Sequence, residues 1–158
     1  MNRRRAKILI NASARVGDLD AQRTRLTEIL SASQIQSEIT IAQTGEEIAD
    51  LARSAAGADY DLLVAGGGDG TINAVASSIV GKDKQLGILP LGTLNHFARD
   101  LRIPLEFEAA AENLTSGYPR KIDVGEVNGH LFFNVASIGR FGSERKAATP
   151  ASVLSASA

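Results

Sequence analysis

Short apolar segments alternate along the chain with longer stretches in which apolar residues recur at helical spacing. The apolar segments are rich in Ile, Leu and Val, lack polar alternation, and lie at residues 6–10, 39–42, 62–65 and 86–89. Such segments are typical of strands that are buried on both faces of a parallel sheet. The stretches between them predict helices over residues 19–32, 46–56 and 71–80. This order predicts an α/β fold with a Rossmann-like parallel sheet and flanking helices.

The pattern changes after Pro104. Residues 105–114 predict a helix, whereas residues 121–127 and 131–136 predict strands on either side of Asn128-Gly129, a strong hairpin signal. From residue 143 the chain is rich in Ser, Ala and Thr with few apolar anchors. We therefore expect an α/β domain over 1–120, the start of a β-rich second domain over 121–142, and a largely disordered tail over 143–158.

Composition excludes several classes of function. Seventeen basic and eighteen acidic residues give a net charge of -1, and aromatic residues make up only 4%, so neither charge nor base stacking favours nucleic acid as a partner. Cysteine is absent, which excludes disulfides, thiolate metal sites and cysteine nucleophiles. No apolar segment has the length of a membrane span, and the basic start lacks the apolar region of a signal peptide. We expect a cytoplasmic protein.

The densest chemical signal is the first glycine turn, Gly66-Gly67-Gly68-Asp69-Gly70-Thr71, which directly follows a predicted strand and precedes a predicted helix. Such a turn directs free backbone amides and the positive end of the helix dipole towards a ligand, which favours an anion. The Asp69 carboxylate would repel a phosphate unless a cation bridges the two or a hydroxyl must lose a proton. Magnesium–nucleotide chemistry explains both features. The alternative is a tight turn in which Asp69 and Thr71 cap the helix.

A second glycine turn, Pro90-Leu91-Gly92-Thr93-Leu94-Asn95, also follows a predicted strand and precedes a short helix over 97–101. In open α/β sheets, ligands bind at the carboxyl ends of the strands. Asn11, at the end of the first strand, belongs to the same edge. The second turn continues Thr93-Leu94 where a P-loop needs lysine, and Thr71 stands where a dinucleotide fingerprint needs glycine. We therefore expect one shared ligand site that is neither of these motifs.

These motifs resemble the diacylglycerol kinase catalytic domain, within the broader group of lipid, sphingosine and NAD kinases. The matching segments are residues 67–73, residues 87–95 followed by Phe97-Ala98-Arg99, and residues 121–124. The segment 134–137 with Gly139, Phe141 and Gly142 is similar to the family's passage into its second domain. The resemblance covers nearly the whole chain up to Gly142.

The resemblance implies an ATP-dependent lipid kinase that uses Mg²⁺ and phosphorylates a lipid such as diacylglycerol, with peripheral contact to a membrane. It implies that Asp69 is the metal ligand or the catalytic base. The nucleotide-binding positions that it implies are Thr44, Gly67, Gly68, Asp69, Gly70, Thr71, Ile72, Asn73, Gly92, Thr93 and Asn95.

The chain also departs from the family's pattern. Only Asn11 remains of an Asn-Pro-x-Ser-Gly motif, Ala74 replaces a common glutamate, and His96 replaces a common aspartate. We interpret His96 as a polar helix residue and not as a base. The family continues for roughly as many residues again, in a β-rich second domain that carries magnesium ligands and a catalytic carboxylate, so the second domain here is expected to be incomplete.

Two alternatives remain open: a non-catalytic or truncated nucleotide-binding module, and a relative of NAD kinase. Phe97-Ala98-Arg99 favours the lipid group over the second of these. An incomplete β-rich domain would leave strand edges and apolar faces unpaired, so we expect self-association through residues beyond Asp123.

Overall fold

The structure is a computed structural model, and it describes residues 3–14, 17–127, 129–133, 146–147 and 151–155. The strands are β1 Arg5–Asn11, β2 Gln36–Ala42, β3 Leu62–Gly67, β4 Gln85–Pro90, β5 Tyr118–Ile122, β6 Gly125–Val127, β7 His130–Phe132, β8 Lys146–Ala147 and β9 Ala151–Ser155. The helices are α1 Leu19–Ala32, α2 Gly45–Gly57, α3 Asp69–Ile79, α4 His96–Asp100 and α5 Phe107–Ser116. Among the described residues, no helix is both long enough and apolar enough to cross a bilayer.

The larger sheet has the order β2-β1-β3-β4-β9-β5. All neighbouring strands from β2 to β9 are parallel, and β5 runs antiparallel to β9. Helices follow β1, β2, β3 and β4 in the chain. The predicted α/β class with a Rossmann-like parallel sheet is therefore confirmed, and the predicted strands and helices over residues 6–116 all form, with small differences in their ends.

The core lies on both faces of this sheet because successive residues of a strand point to opposite sides. Leu63 of β3 belongs to a cluster with Ile72 and Val75 of α3, whereas Leu62 belongs to the opposite cluster with Leu26 of α1. Double burial is thus confirmed for β1, β3 and β4. It is wrong for β2, an edge strand in which only the last residue is fully buried.

A charged network ties β2 to the sheet. Lys7 of β1 is only 8% exposed, and its ammonium donates to Thr40 Oγ1 at 2.9 Å and forms an ion pair with Glu38. The Tyr60 hydroxyl donates to the same carboxylate at 2.6 Å. The hydrogen bond from Lys7 holds the pKa of Glu38 below its usual value, and the hydrogen bond to Glu38 raises the pKa of Tyr60. A buried lysine is thereby paired, as its desolvation requires.

A separate sheet of three short antiparallel strands, in the order β7-β6-β8, follows β5. The pairing of β6 with β7 confirms the predicted hairpin, with Gly129 at a φ of +79°, while Asn128 lies outside the described residues. The segment predicted as one strand over 121–127 instead contributes to β5 and β6, which belong to different sheets. The expected boundary at residue 120 therefore falls within β5. The predicted strand residues 134–136 lie outside the described residues.

Residues 151–155 differ from the tail that we expected, because they form β9 between β4 and β5. The Val153 side chain is fully buried in the core cluster of α2, α3 and β4. The local sequence Ala-Ser-Val-Leu-Ser is short and has a single β-branched apolar residue, so it does not predict a strand by itself, and its structure depends on pairing with distant parts of the chain. Most of the rest of the expected tail lies outside the described residues.

We expect Val153→Asp to lower the free energy of unfolding by about 2–4 kcal/mol, because it places an unpaired carboxylate in the core. Urea denaturation measures this. Leu94→Asp, at a position that is 60% exposed, is the matched control and should change stability by less than about 0.5 kcal/mol. Equal, small effects of the two substitutions would contradict the placement of β9.

Candidate functional site

The two glycine turns meet at the carboxyl edge of the larger sheet. Gly67 is in register with Pro90 across the parallel pair β3–β4, and the Leu91 amide donates to the Gly67 carbonyl at 3.0 Å. The chain then enters α3 after Gly68 and α4 after Asn95. The expectation that both turns share one edge is therefore confirmed.

Backbone packing explains two of the glycines. A Cβ on Gly92 would lie 2.4 Å from the Gly68 Cα atom, so the two turns can touch only without a side chain there. A Cβ on Gly67 would lie 2.5 Å from Thr71 Oγ1. Around Gly70, by contrast, a Cβ would meet nothing within 4 Å. Gly67 and Gly92 are therefore needed for close approach within the protein itself.

An open pocket of ≈ 320 Å³, here called the edge pocket, lies against the two turns. It is lined by Asn11, Ser13, Ala14, Gly68, Gly70, Thr71, Gly92 and Thr93. Apart from Ala14, its lining consists of glycines, hydroxyl side chains and one side-chain amide. Gly68 is the N-cap of α3, and within the part of the chain that the structure describes no side chain caps that helix. The first-turn amides of α3 and its positive dipole end are thus suited to an anion.

Thr71 is buried beneath the edge pocket and oriented by Asn11. The Asn11 Nδ2 group donates to Thr71 Oγ1 at 3.3 Å, and Asn11 Oδ1 accepts from the Ser13 amide at 2.9 Å. Because the Thr71 oxygen accepts from Asn11, its own hydroxyl proton is left to donate to a ligand. Thr71 is therefore a pocket residue and not a cap of α3.

Asp69 is the first residue of α3, and its carboxylate is turned towards α4 and away from the pocket lining. Oδ1 accepts from the Phe97 amide at 2.9 Å, and Oδ2 accepts from the His96 amide at 3.2 Å. The His96 Nδ1 atom lies 3.8 Å from Oδ2. The alternative interpretation, in which Asp69 caps its own helix, is wrong: the helix that it caps is α4.

A magnesium ion fits this arrangement only in part. Within the described ranges no three His, Asp or Glu side chains gather into a metal-binding group. The Asp69 side chain is 35% exposed, and each of its oxygens has a further lone pair. Since Mg²⁺ is often held by one or two carboxylates together with waters and phosphate oxygens, Asp69 could serve as such a ligand beside a bound polyphosphate.

Asn95 shapes the second glycine turn. Its backbone is left-handed, with a φ of +50°, and the residue is only 7% exposed. Its Oδ1 accepts from the Gly92 amide at 3.0 Å, and its Nδ2 donates to the Gly92 carbonyl at 2.8 Å and the Pro90 carbonyl at 3.4 Å. Its side chain is thus used within the turn.

The remaining predicted site residues lie outside the lining of the edge pocket. Thr44 is the N-cap of α2, where its Oγ1 accepts from the Glu47 amide at 3.1 Å. Ile72 is buried in the core, and Asn73 is half-buried on α3. The structure therefore brings together Gly68, Gly70, Thr71, Gly92 and Thr93 of the predicted set.

Sequence reasoning missed Ser13 and Ala14, which form the third wall of the edge pocket. The segment after β1 keeps only Asn11 of the family's motif, so its other residues were not among the predicted site residues. The position of β1 could have indicated these two residues. β1 is the neighbour of β3 in the sheet and ends with Asn11 at the carboxyl edge, so the residues that follow Asn11 lie beside the first glycine turn.

The fold and the site define an α/β domain with a ligand pocket at the carboxyl edge of its parallel sheet. Residues 5–127 match the family model of the diacylglycerol kinase catalytic domain, and the chain belongs to that family. The resemblance inferred from the glycine turns is thereby confirmed.

Relatives and solved structures agree with this assignment. The chain is 47% identical over 92 residues to a diacylglycerol kinase of Bacillus subtilis, covering 56% of this chain and 30% of the relative. It is 34% identical over 143 residues to a diacylglycerol kinase of Staphylococcus saprophyticus, covering 87% and 46%. A crystal structure of a putative diacylglycerol kinase from Bacillus anthracis matches with a TM-score of 0.74 and 28% identity, covering 84% and 48%. The chain thus spans about half the length of these relatives or less.

We expect Gly92→Ala to destabilise the protein by about 1–3 kcal/mol, because the added methyl group would collide with the Gly68 backbone, which no rotamer change can relieve. Urea denaturation checks this value. Gly70→Ala is the matched control, since its methyl group would meet open space, and it should leave the protein as stable or stabilise it by up to about 1 kcal/mol. A tolerated Gly92→Ala would show that the two turns are not in backbone contact.

Proposed function

We propose that this chain is the nucleotide-binding part of an ATP-dependent lipid kinase, which transfers the γ-phosphate of ATP to the hydroxyl of a lipid such as diacylglycerol. The observation that carries the proposal is the edge pocket, where two glycine turns in backbone contact flank the N-terminus of α3. Membership of the diacylglycerol kinase catalytic domain family supports the same reaction class.

In this proposal the phosphates of ATP occupy the edge pocket. The Gly68–Gly70 backbone and the first-turn amides of α3 donate to phosphate oxygens, as helix N-termini commonly do. The Thr71 and Thr93 hydroxyls donate from the two sides, and Asn11 keeps the Thr71 proton available. Thr44 lies between β2 and α2 and does not line the pocket. In this proposal Thr44 therefore contacts a part of the nucleotide that is further from the phosphates.

The transfer breaks the bond between the γ-phosphorus and the bridging oxygen of ATP and forms a bond from the lipid oxygen to that phosphorus. The hydroxyl proton leaves to a base. When bound, Mg²⁺ supplies charge neutralisation on the phosphate oxygens. Asp69 would hold the ion or accept the proton through its remaining lone pairs. Phosphoryl transfer depends mainly on positioning and charge stabilisation, so the placement of these groups decides the rate.

We further propose that the protein acts in the cytoplasm and reaches its lipid substrate at a membrane surface. Its near-zero net charge and low aromatic content do not favour nucleic acid as a partner. Leu94 supports a peripheral contact, because this apolar side chain is largely exposed and directly follows Thr93 of the edge pocket. The sheet β7-β6-β8 would begin a second domain, and its strand edges would favour self-association of the isolated chain.

A second candidate is a nucleotide-binding module without catalysis of its own. It is favoured by the engagement of both Asp69 oxygens with backbone amides of α4 and by the lack of a three-residue metal-binding group among the described residues. The two candidates share the edge pocket and differ in turnover.

We expect the chain to bind ATP weakly and Thr93→Val to reduce the affinity roughly tenfold, because it removes a hydrogen bond to a charged phosphate while preserving the shape of the side chain. Isothermal titration calorimetry measures the affinities. Thr115→Val, which removes an α5 hydroxyl outside the pocket, is the control and should leave affinity unchanged. Equal ATP affinity of the Thr93 variant and the unsubstituted chain would contradict binding at the edge pocket.

We expect the 158-residue polypeptide by itself to phosphorylate diacylglycerol far more slowly than a full-length relative, because it spans less than half of the curated relatives' length and transfer depends on charge stabilisation from the whole of a site. Labelled ATP with mixed micelles measures turnover, and light scattering measures self-association. Rapid turnover by a monomer would contradict this expectation and would show that Asp69 and its neighbours suffice.

A further inference from the structure

Helix α4 begins without a cap of its own. Its N-cap residue, Asn95, has a left-handed backbone and makes no side-chain cap hydrogen bond. The Asn95 amide group is instead used within the second glycine turn, on Gly92 and Pro90. Because the first amides of a helix have no partner within it, α4 depends on an acceptor from elsewhere.

Asp69 supplies that acceptor from the other glycine turn. Its two oxygens accept from the His96 and Phe97 amides, 27 and 28 residues further along the chain. The caps of α1 and α2 differ, since Asp18 and Thr44 accept from amides of the helices that they precede. The carboxylate of Asp69 therefore joins two elements that the sequence separates.

This link fixes one wall of the edge pocket. Asp69 is adjacent to Gly68, whose backbone touches Gly92, and α4 is joined to Gly92 through the second glycine turn. On its other side, α4 presents Phe97 edge-on to Phe133, next to β7, with ring centroids 6.1 Å apart. Without this cap, the second glycine turn would be held against the first by the Leu91–Gly67 hydrogen bond and the backbone contact alone, so Gly92 and Thr93 would be less firmly placed.

We propose that Asp69 is a positioning residue for the edge pocket: by capping α4 in trans, it holds the Gly92–Thr93 wall in the geometry that binds phosphate. This role rests on the proposed nucleotide binding and goes beyond it, because it requires neither magnesium nor proton transfer. The positioning role predicts the direction in which metal-free binding changes when Asp69 is replaced. As a nearby negative charge, Asp69 disfavours an anion when no metal is present, so removal of the charge alone should tighten metal-free binding, whereas removal of the positioning should weaken it.

The test compares Asp69→Asn and Asp69→Ala with the unsubstituted 158-residue chain, using ADP in the presence of EDTA as the probe. In NMR spectra of isotopically labelled protein, the backbone amide resonances report ADP affinity and also the hydrogen exchange of the His96 and Phe97 amides. We expect metal-free ADP affinity to fall about two- to fivefold in the Ala variant, and less in the Asn variant, which keeps one acceptor oxygen. Exchange of the two amides should become faster in the same order.

Asp100→Asn is the matched control, because it removes an exposed carboxylate from the same helix, and it should change neither affinity nor exchange. Thermal unfolding of each variant shows whether the chain remains folded. Tighter or unchanged metal-free binding with unchanged amide exchange would overturn the proposal and leave Asp69 as a metal ligand or base. If the unsubstituted chain binds no ADP, the proposed function fails, whereas faster exchange at His96 and Phe97 would still support the cap.

Discussion

The site depends on a contact between two backbones. Gly68 and Gly92 approach so closely that a Cβ on Gly92 would lie 2.4 Å from the Gly68 Cα atom. The Leu91–Gly67 hydrogen bond extends the pairing of β3 and β4 to the end of the strands. In an open parallel sheet the ligand crevice lies where the strand order reverses, which in the order β2-β1-β3-β4 is between β1 and β3. The contact between the two turns leaves little space between the ends of β3 and β4, so the open space lies over the turns, towards the end of β1. The position of the edge pocket follows from this constraint.

The residues of the two glycine turns have two different physical roles: some face the pocket, and others hold the backbone that forms it. Gly70 and Thr93 line the edge pocket, where we propose that they contact the ligand. Asn95 and Asp69 instead use their polar groups to hold the second glycine turn and helix α4. A buried polar side chain costs free energy when it is unpaired. Such side chains are therefore favoured where they can accept a hydrogen bond from a backbone amide that has no other partner. A substitution at either kind of position would impair binding, but by loss of a contact in one case and by loss of geometry in the other.

Local patterns were sufficient to predict the parallel sheet and the common edge of the two glycine turns. Doubly buried strands such as β3 have a distinct composition, and the end of a parallel strand fixes where its turn lies. The patterns could not show that Asp69 faces α4, because its partners His96 and Phe97 are remote in sequence and are backbone amides without a residue signature. Nor could they reveal β9, whose short sequence forms a strand between β4 and β5. The failures share a cause: each depends on contacts between segments that are far apart along the chain.

The place of β9 has a consequence for the order in which the molecule assembles. Among the described strands β5 pairs with β9 alone, so residues 118–122 have no sheet partner until residues 151–155 have been added. Strands β1 to β4 and the helices that follow them all lie within residues 5–100, so they are synthesised before residues 151–155. On a ribosome, where chains fold from the N-terminus as they emerge, the edge pocket would therefore be complete while the far side of the sheet was still an open edge. That open edge, and not the pocket, would be the part of the nascent protein most exposed to mispairing with other chains.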